Sequence, residues 1–251
     1  MQLIHNLYNC LCDKAQTTKV TCLCIGLKYT AVTTDDGGIG LAFTYPNDHC
    51  CGSKRSGYTD YEGMAAIELL EKINQPSPFQ KSVGLAVVNA LNYRNASQLP
   101  DDATDIGWMD KFDIGSGTRV AMVGFIRPLV KKIREKGALV EVIDELKGVG
   151  EKSAFYETLK TQTDVLILTS TSILNESTED LLSQIRPETK ALMIGPTTPM
   201  VPEAFRHLPV QLLAGTIPVD QNAVLKAIRH GEGTPVIHRF SRKVVCDLSF
   251  H

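Results

Sequence analysis

Apolar residues along the chain fall into short blocks whose spacing predicts their structure. Leu3, Ile4, Leu7, Tyr8 and Leu11 recur at three-to-four spacing, so residues 1–15 read as an amphipathic helix that caps a sheet. Residues 19–27, 29–34 and 39–44 read as three short strands. Asp35-Asp36-Gly37-Gly38 joins the last two as a hairpin, because glycine accepts positive φ, and the three strands form an antiparallel meander. After a loop over 45–58, Thr59 and Glu62 form a capping box from which Met64, Ile67, Leu69 and Leu70 carry a helix to about Ile73. Ser77-Pro78 opens a second helix, through Val83, Ala86, Val87 and Ala90 to Leu91. Two apolar helices after a meander can cover one sheet face, which closes a small α+β domain over residues 1–97.

Residues 98–117 carry Asp101, Asp102, Asp105, Asp110 and Asp113 with little apolar periodicity, and read as a solvated linker in which Ile106 and Trp108 tuck against a domain surface. The acidic residues lack the ligand spacing of a calcium loop. Beyond them the period changes. Val120-Ala121-Met122-Val123 ends at Gly124 and passes into Phe125-Ile126-Arg127-Pro128, the pattern of a buried strand, a tight turn and a helix with proline in its first turn. In that helix Leu129, Val130 and Ile133 mark the buried face, and Lys131, Lys132 and Arg134 the wet one. Gly137 supplies the left-handed stop. A second buried strand over 139–143 ends in Asp144-Glu145. Helices over 153–160 and 175–185, strands over 165–168, 190–194 and 210–213, a short helix near Pro202 and a helix capped by Asp220 complete residues 118–251 as a Rossmann-like α/β domain. Strands alternating with helices imply a parallel sheet with right-handed crossovers.

Composition narrows the function classes. With 251 residues, 43% apolar, 22% charged and a net charge of −2, the chain is a globular protein with no basic excess for nucleic acid and no apolar run long enough for a membrane span. No export signal is legible, so the seven cysteines are expected as reduced thiols in the cytoplasm. Cys22 and Cys24 suit a strand facing a core. Cys50 and Cys51 beside His49 in a loop can be drawn as a metal group or read as incidental exposure.

In an open parallel sheet the ligand crevice lies beyond the strand C-termini. That rule selects Gly124 and Phe125, Asp144 and Glu145, Thr169 and Ser170, Gly195, Pro196 and Thr198, and Gly215. Asn89, Asn92 and Asn175 stand beside them as caps or ligand contacts. Small and hydroxyl-bearing tips suit a polar small molecule, and the acidic tip suits hydroxyls or a cation. The glycine fingerprint G-x-G-x-x-G is absent, with Phe, Ile, Arg and Pro where phosphate oxygens would lie, which argues against NAD. No nucleophile elbow, Walker loop or HExxH motif is present, and no catalytic residue can be assigned.

The strings Gly26-Leu27-Lys28-Tyr29-Thr30-Ala31-Val32, Gly38-Ile39-Gly40-Leu41-Ala42 and Asn89-Ala90-Leu91-Asn92, with Met122-Val123-Gly124-Phe125-Ile126-Arg127-Pro128, Ile173-Leu174-Asn175, Gly195-Pro196-Thr197-Thr198-Pro199 and Leu213-Ala214-Gly215, resemble the bacterial and archaeal heavy-metal chelation family over nearly the whole length. The resemblance implies an enolase N-terminal-like domain before a Rossmann-like one, and a cleft between them. It also implies a role in metal homeostasis, either binding a metal chelate or processing a pterin-, flavin- or siderophore-like molecule. The family's acidic residue after the second Rossmann strand falls on Asp144 or Glu145. The expected partner is a small-molecule ligand, with a heavy-metal ion or metal chelate as the group bound. A homodimer and turnover both stay open. Two other readings stand beside this one: a transferase using S-adenosylmethionine or another nucleoside, and a non-enzymatic metal carrier built on His49, Cys50 and Cys51.

Overall fold

The computed structural model describes residues 1–46 and 58–249, and His49, Cys50 and Cys51 lie outside the described residues. Helix α1 (Gln2–Thr17) leads into a three-stranded antiparallel sheet of β1 (Val20–Ile25), β2 (Tyr29–Thr34) and β3 (Ile39–Phe43), followed by α2 (Ile67–Leu70), α3 (Pro78–Leu91) and α4 (Tyr93–Ala96). Every residue of β2 is buried because the sheet is covered on both faces. Alternation sends Val32 and Ala42 toward α3, and Tyr29, Ala31, Ile39 and Leu41 toward Val224, Ile228 and Ile237 near the other end of the chain. The two halves of the chain are thus interlocked, and the small sheet draws its second cover from residues 224–237 of the C-terminal half.

Three readings of this half change. Helix α1 packs on α2, α3 and the 3-10 turn Pro202–Phe205, so it caps helices and not a sheet. Thr59 and Glu62 form no capping box: the Glu62 carboxylate accepts the Leu23 N–H at 3.1 Å, and Val20 pairs through its backbone with Gly63 and Met64. Strand pairing thereby outcompetes the helix start, and helix begins only at Ile67. The stretch read as a linker is packed structure. Arg242 holds the carbonyls of Ser97 and Leu99 and the carboxylate of Asp101, and α5 (Ile106–Lys111) buries Trp108 and Met109 against Val120, Met122 and Ile133.

The second sheet has six strands in the order β5-β4-β6-β7-β8-β9. The first five, β4 (Arg119–Val123), β5 (Leu139–Ile143), β6 (Val165–Thr169), β7 (Lys190–Ile194) and β8 (Leu212–Pro218), are parallel, and β9 (Ser241–Asp247) closes the far edge antiparallel to β8. Helices α6 (Arg127–Glu135), α7 (Lys152–Thr161), α8 (Thr178–Ser183), α9 (Gln221–Arg229) and α10 (Thr234–Ile237) connect and flank them. Strand β5 is an edge strand whose Leu139 is 61% exposed, so it is not the fully buried strand its apolar run suggested. Helix α8 starts three residues later than Asn175, because Glu176 adopts φ +60° and breaks any earlier turn. Strand β8 runs on to Pro218, which places Gly215 inside the strand and opposite Val244. Among the described residues, no helix is long and apolar enough to cross a membrane.

Candidate functional site

From β4 the chain moves outward to β5 and returns across β4 to β6. The tips of β4 and β6 therefore flank the topological switch point, where open α/β sheets take ligands. Gly124 turns the chain there at φ +89°, and a Cβ on it would lie 2.5 Å from Cγ2 of Thr169, so only glycine allows this approach. A cavity of about 630 Å³ is lined by Gly124, Phe125, Thr169, Ser170, Gly195, Pro196 and Gly215 of the large sheet and its tips, and by Tyr29 and Phe43 of the small sheet. Trp108, Lys132, Thr216, His238 and Lys243 also line it. A smaller lobe of about 240 Å³ shares Gly124, Asp144 and Thr169 with it and continues to Glu145, Tyr156 and Asn175.

The acidic tip is resolved into two different residues. Asp144 lines both lobes, but its carboxylate is already engaged: Oδ2 accepts the Phe125 N–H at 2.8 Å and faces the Lys147 ammonium at 2.9 Å, while Oδ1 accepts the Lys147 N–H at 3.1 Å. Asp144 therefore shapes the first turn and its free acceptor capacity is small. Glu145 is exposed, lies 3.7 Å from Lys152 and reaches only the smaller lobe. Beside that lobe Tyr156 donates to Asp180 at 2.6 Å, and burial together with this bond raises its phenol above the usual range.

Other residues selected from sequence do different work. Asn89 donates to the carbonyls of Leu41 at 2.7 Å and Thr197 at 3.2 Å, and buried Asn92 donates to the carbonyl of Met200; both pin α3 to the loop after β7 and neither lines the cleft. Thr198 is buried behind the wall, with no partner for its hydroxyl among the described residues. Its neighbour Thr197 is the one that lines the cleft, where its Oγ1 accepts the Phe43 N–H at 2.8 Å. Asn175 caps its own turn by accepting from Ser177. Cys22 and Cys24 are half-buried on β1, and burial raises both thiols.

The residues missed by the sequence reading are those whose elements were misassigned. Trp108 and Asp105 come from the supposed linker, Lys132 from the supposed wet face of α6, and Lys243 from a strand with no periodic apolar signal. The two lysines meet at one carboxylate: Asp105 takes Lys132 at 3.0 Å and Lys243 at 2.8 Å. The cleft wall carries four cationic side chains, Arg127, Lys132, Lys147 and Lys243, against three carboxylates, Asp102, Asp105 and Asp144, a surplus of one positive charge in a chain whose net charge is −2. Among the described residues no three of His, Cys, Asp and Glu converge as a metal would require. Ammonium, indole N–H and hydroxyl groups fit an acceptor-rich molecule and disfavour a bare cation.

His238 sets a pH dependence. Its Nε2 lies 3.2 Å from the Thr216 hydroxyl, and burial, reinforced by the Lys243 charge and opposed by Asp105, holds its pKa below the ordinary 6.5. A depressed imidazole favours the folded state when neutral, so that contribution is complete above 6.5 and is lost as pH falls through 6.5 toward the lowered value. Comparing melting temperatures at about pH 7.5 and 5.5, His238→Gln is expected to lose less stability on acidification than the parent. Equal losses would show that another group carries the dependence.

A family model described as "Putative heavy-metal chelation" matches residues 107–247, more than half of the chain, and a second model with the same description matches residues 8–92. The chain belongs to the family so described. A relative in Methanocaldococcus jannaschii, an uncharacterized protein, is 22% identical over 255 residues, which covers 96% of this chain and 94% of that one. A solved structure from Pyrococcus horikoshii, a DUF364-family protein of unknown function, superposes with a TM-score of 0.81 at 21% identity, covering 98% of this chain and 99% of the other. A second, from Desulfitobacterium hafniense, gives 0.73 at 18%, covering 97% and 98%. At these identities the likeness is one of fold. The family's two models meet on either side of residues 93–106, within the stretch that runs from α4 to α5.

Proposed function

We propose that this heavy-metal chelation family member binds an acceptor-rich small molecule, a metal chelate of the siderophore or pterin class, in the interdomain cleft. The observation that carries the reading is the convergence of both domains on one cavity at the switch point, with more cationic than anionic side chains around it. The metal enters as cargo within its chelator, which supplies the donor atoms that the cleft wall does not. Backbone at Gly124, Gly195 and Gly215 gives close approach, and the hydroxyls of Thr169 and Ser170 and the Phe125 and Tyr29 rings give orientation. The free thiols among the described cysteines agree with work in the cytoplasm.

Native mass spectrometry with metal analysis on gently purified protein, and on protein incubated with ferric citrate, tests this. The parent is expected to carry a metal-bearing small molecule that Thr171→Phe, which fills the cleft from between its two lobes, abolishes. Metal retained by Thr171→Phe but lost when Cys50 and Cys51 become serine would replace the cleft with a thiol carrier. The engaged Asp144 carboxylate speaks against a ribose contact of the S-adenosylmethionine kind.

A further inference from the structure

The polar end of the cleft between α5, α6 and β9 has a charge arrangement that its structural role alone does not require. One carboxylate, Asp105, faces two ammonium groups: Lys132 Nζ at 3.0 Å from Oδ2, and Lys243 Nζ at 3.0 Å from Oδ1 and 2.8 Å from Oδ2. Asp105 is buried and holds φ +62°, a left-handed conformation that disfavours aspartate by roughly 1 kcal/mol and persists only where neighbours enforce it. Both lysines remain partly open to the cleft, with 41% and 30% of their side chains exposed. Beside them Trp108 lines the same cavity at 2% exposure, and its indole N–H has no partner among the described residues. A buried donor without an acceptor is destabilising by about 1–3 kcal/mol, so such a group at a cavity wall marks where an acceptor belongs.

We propose that this end of the cleft is an oxyanion subsite in which the Lys132 and Lys243 ammonium groups and the Trp108 indole N–H receive a ligand carboxylate or phosphate, and that Asp105 is its intramolecular stand-in. The inference rests on the reading of the cleft as a ligand site and specifies its ligand class: the bound molecule carries at least one anionic oxygen group directed toward β9. An arriving oxyanion competes with Asp105 for the lysines: the ammonium groups, 41% and 30% exposed, shed their remaining water, but Asp105 and, for Lys132, the Thr104 carbonyl at 2.8 Å already hold them in place. Asp102 sits at the rim and accepts the Trp108 backbone N–H at 3.4 Å, so the indole nitrogen is the donor left over.

Trp108 is the one tryptophan of the chain, so its fluorescence reports on this site without a label. Citrate and inorganic phosphate are titrated separately into the full-length protein, with sodium chloride at matched ionic strength as the control. Citrate or phosphate is expected to give a saturable change that chloride does not, and the arm with the lower dissociation constant names the oxyanion. Lys243→Met and Lys132→Met should each weaken that binding roughly tenfold, while Lys243→Arg keeps most of it. Asp105→Asn should tighten it by about tenfold, because asparagine tolerates the left-handed backbone while the competing charge is removed. A chloride-like response overturns the proposal, as does unchanged binding in both methionine variants with parental circular dichroism; weaker binding in Asp105→Asn removes the stand-in role. Failure of the cleft reading looks different. A metal-bearing molecule lost in Thr171→Phe but kept in both methionine variants removes the subsite alone. Its retention in Thr171→Phe, with the citrate or phosphate response still depending on the lysines, removes the chelate reading alone.

Discussion

Gly40→Ala is expected to prevent the N-terminal half from folding. The helix α3 crosses β3 at Gly40 with no side chain between them, and a Cβ there would fall inside contact distance of the Ala86 carbonyl oxygen and the Ala90 nitrogen and 2.6 Å from the Asn89 carbonyl carbon. All three are backbone atoms in the middle of a helix, so no rotamer change can relieve the overlap. Overpacking of this kind exceeds the usual 1–3 kcal/mol and is expected to reach about 4 kcal/mol or more, a large fraction of a domain's stability. Because α3 also carries Asn89 and Asn92, its displacement would release the loop that presents Thr197 to the cleft. Soluble yield and chemical denaturation check the expectation; a parental midpoint for Gly40→Ala would mean that α3 can lift from the sheet without loss.

The second large effect lies at the seam between the two halves. Lys81 of α3 is almost fully buried, and its charge is met at 2.5 Å by Glu176, with the Pro76 carbonyl at 3.2 Å as its further partner among the described residues. The Lys81 hydrogen bond, working against burial, holds the Glu176 carboxyl below its ordinary 4.5, so the stabilisation is present above that value and is lost as pH falls through the lowered one. Glu176→Gln leaves a buried ammonium without a counter-charge. Breaking a fully buried pair costs about 3–5 kcal/mol, and the half-exposed side of Glu176 places this loss near the lower end, about 3 kcal/mol or roughly 6–12 °C of melting temperature. The double variant with Lys81→Met is expected to recover most of it, because the charge that needed a partner is gone. If Glu176→Gln melts like the parent, water reaches Lys81 and the pair is not what joins the halves.

These features divide into those that local sequence announces and those that it cannot. The strand Tyr29–Thr34, the start of α3 at Pro78, the turn at Gly124 and the all-apolar strand at residues 165–168 were legible because proline, glycine and period-two or unbroken apolar runs act on their own neighbourhood. The strand tips follow from topology alone, so Gly124, Thr169, Ser170 and Gly195, which line the cavity, needed no motif to be selected. Thr59 and Glu62 misled because a capping signal competes with a strand edge that is distant in sequence until the chain folds. Strand β9 was missed because its Arg242 and Lys243 look like solvent-facing residues, although the first grips the 97–101 stretch and the second reaches Asp105. Lys132 fails the same test: a lysine on the polar side of a helix is ordinarily wet, and only the packing of α5 across α6 turns it into a cleft wall. Asn89 and Asn92, near the end of an apolar helix, read as caps or ligand contacts, but their amides donate to the backbone carbonyls of Leu41, Thr197 and Met200.

The strand β9 pairs with β8 over seven positions and brings Lys243, Val244 and Val245 into a cavity whose opposite wall begins at Tyr29. During synthesis the early strands and helices emerge long before that last wall does. A nascent chain still held near residue 240 on the ribosome would have the nucleus of both sheets but neither the cation of β9 nor the lock of Arg242 on residues 97–101. On the proposed reading of the cleft, ligand binding is therefore expected to be among the last properties the polypeptide acquires, and a chain cut short before Ser241 is expected to bind none.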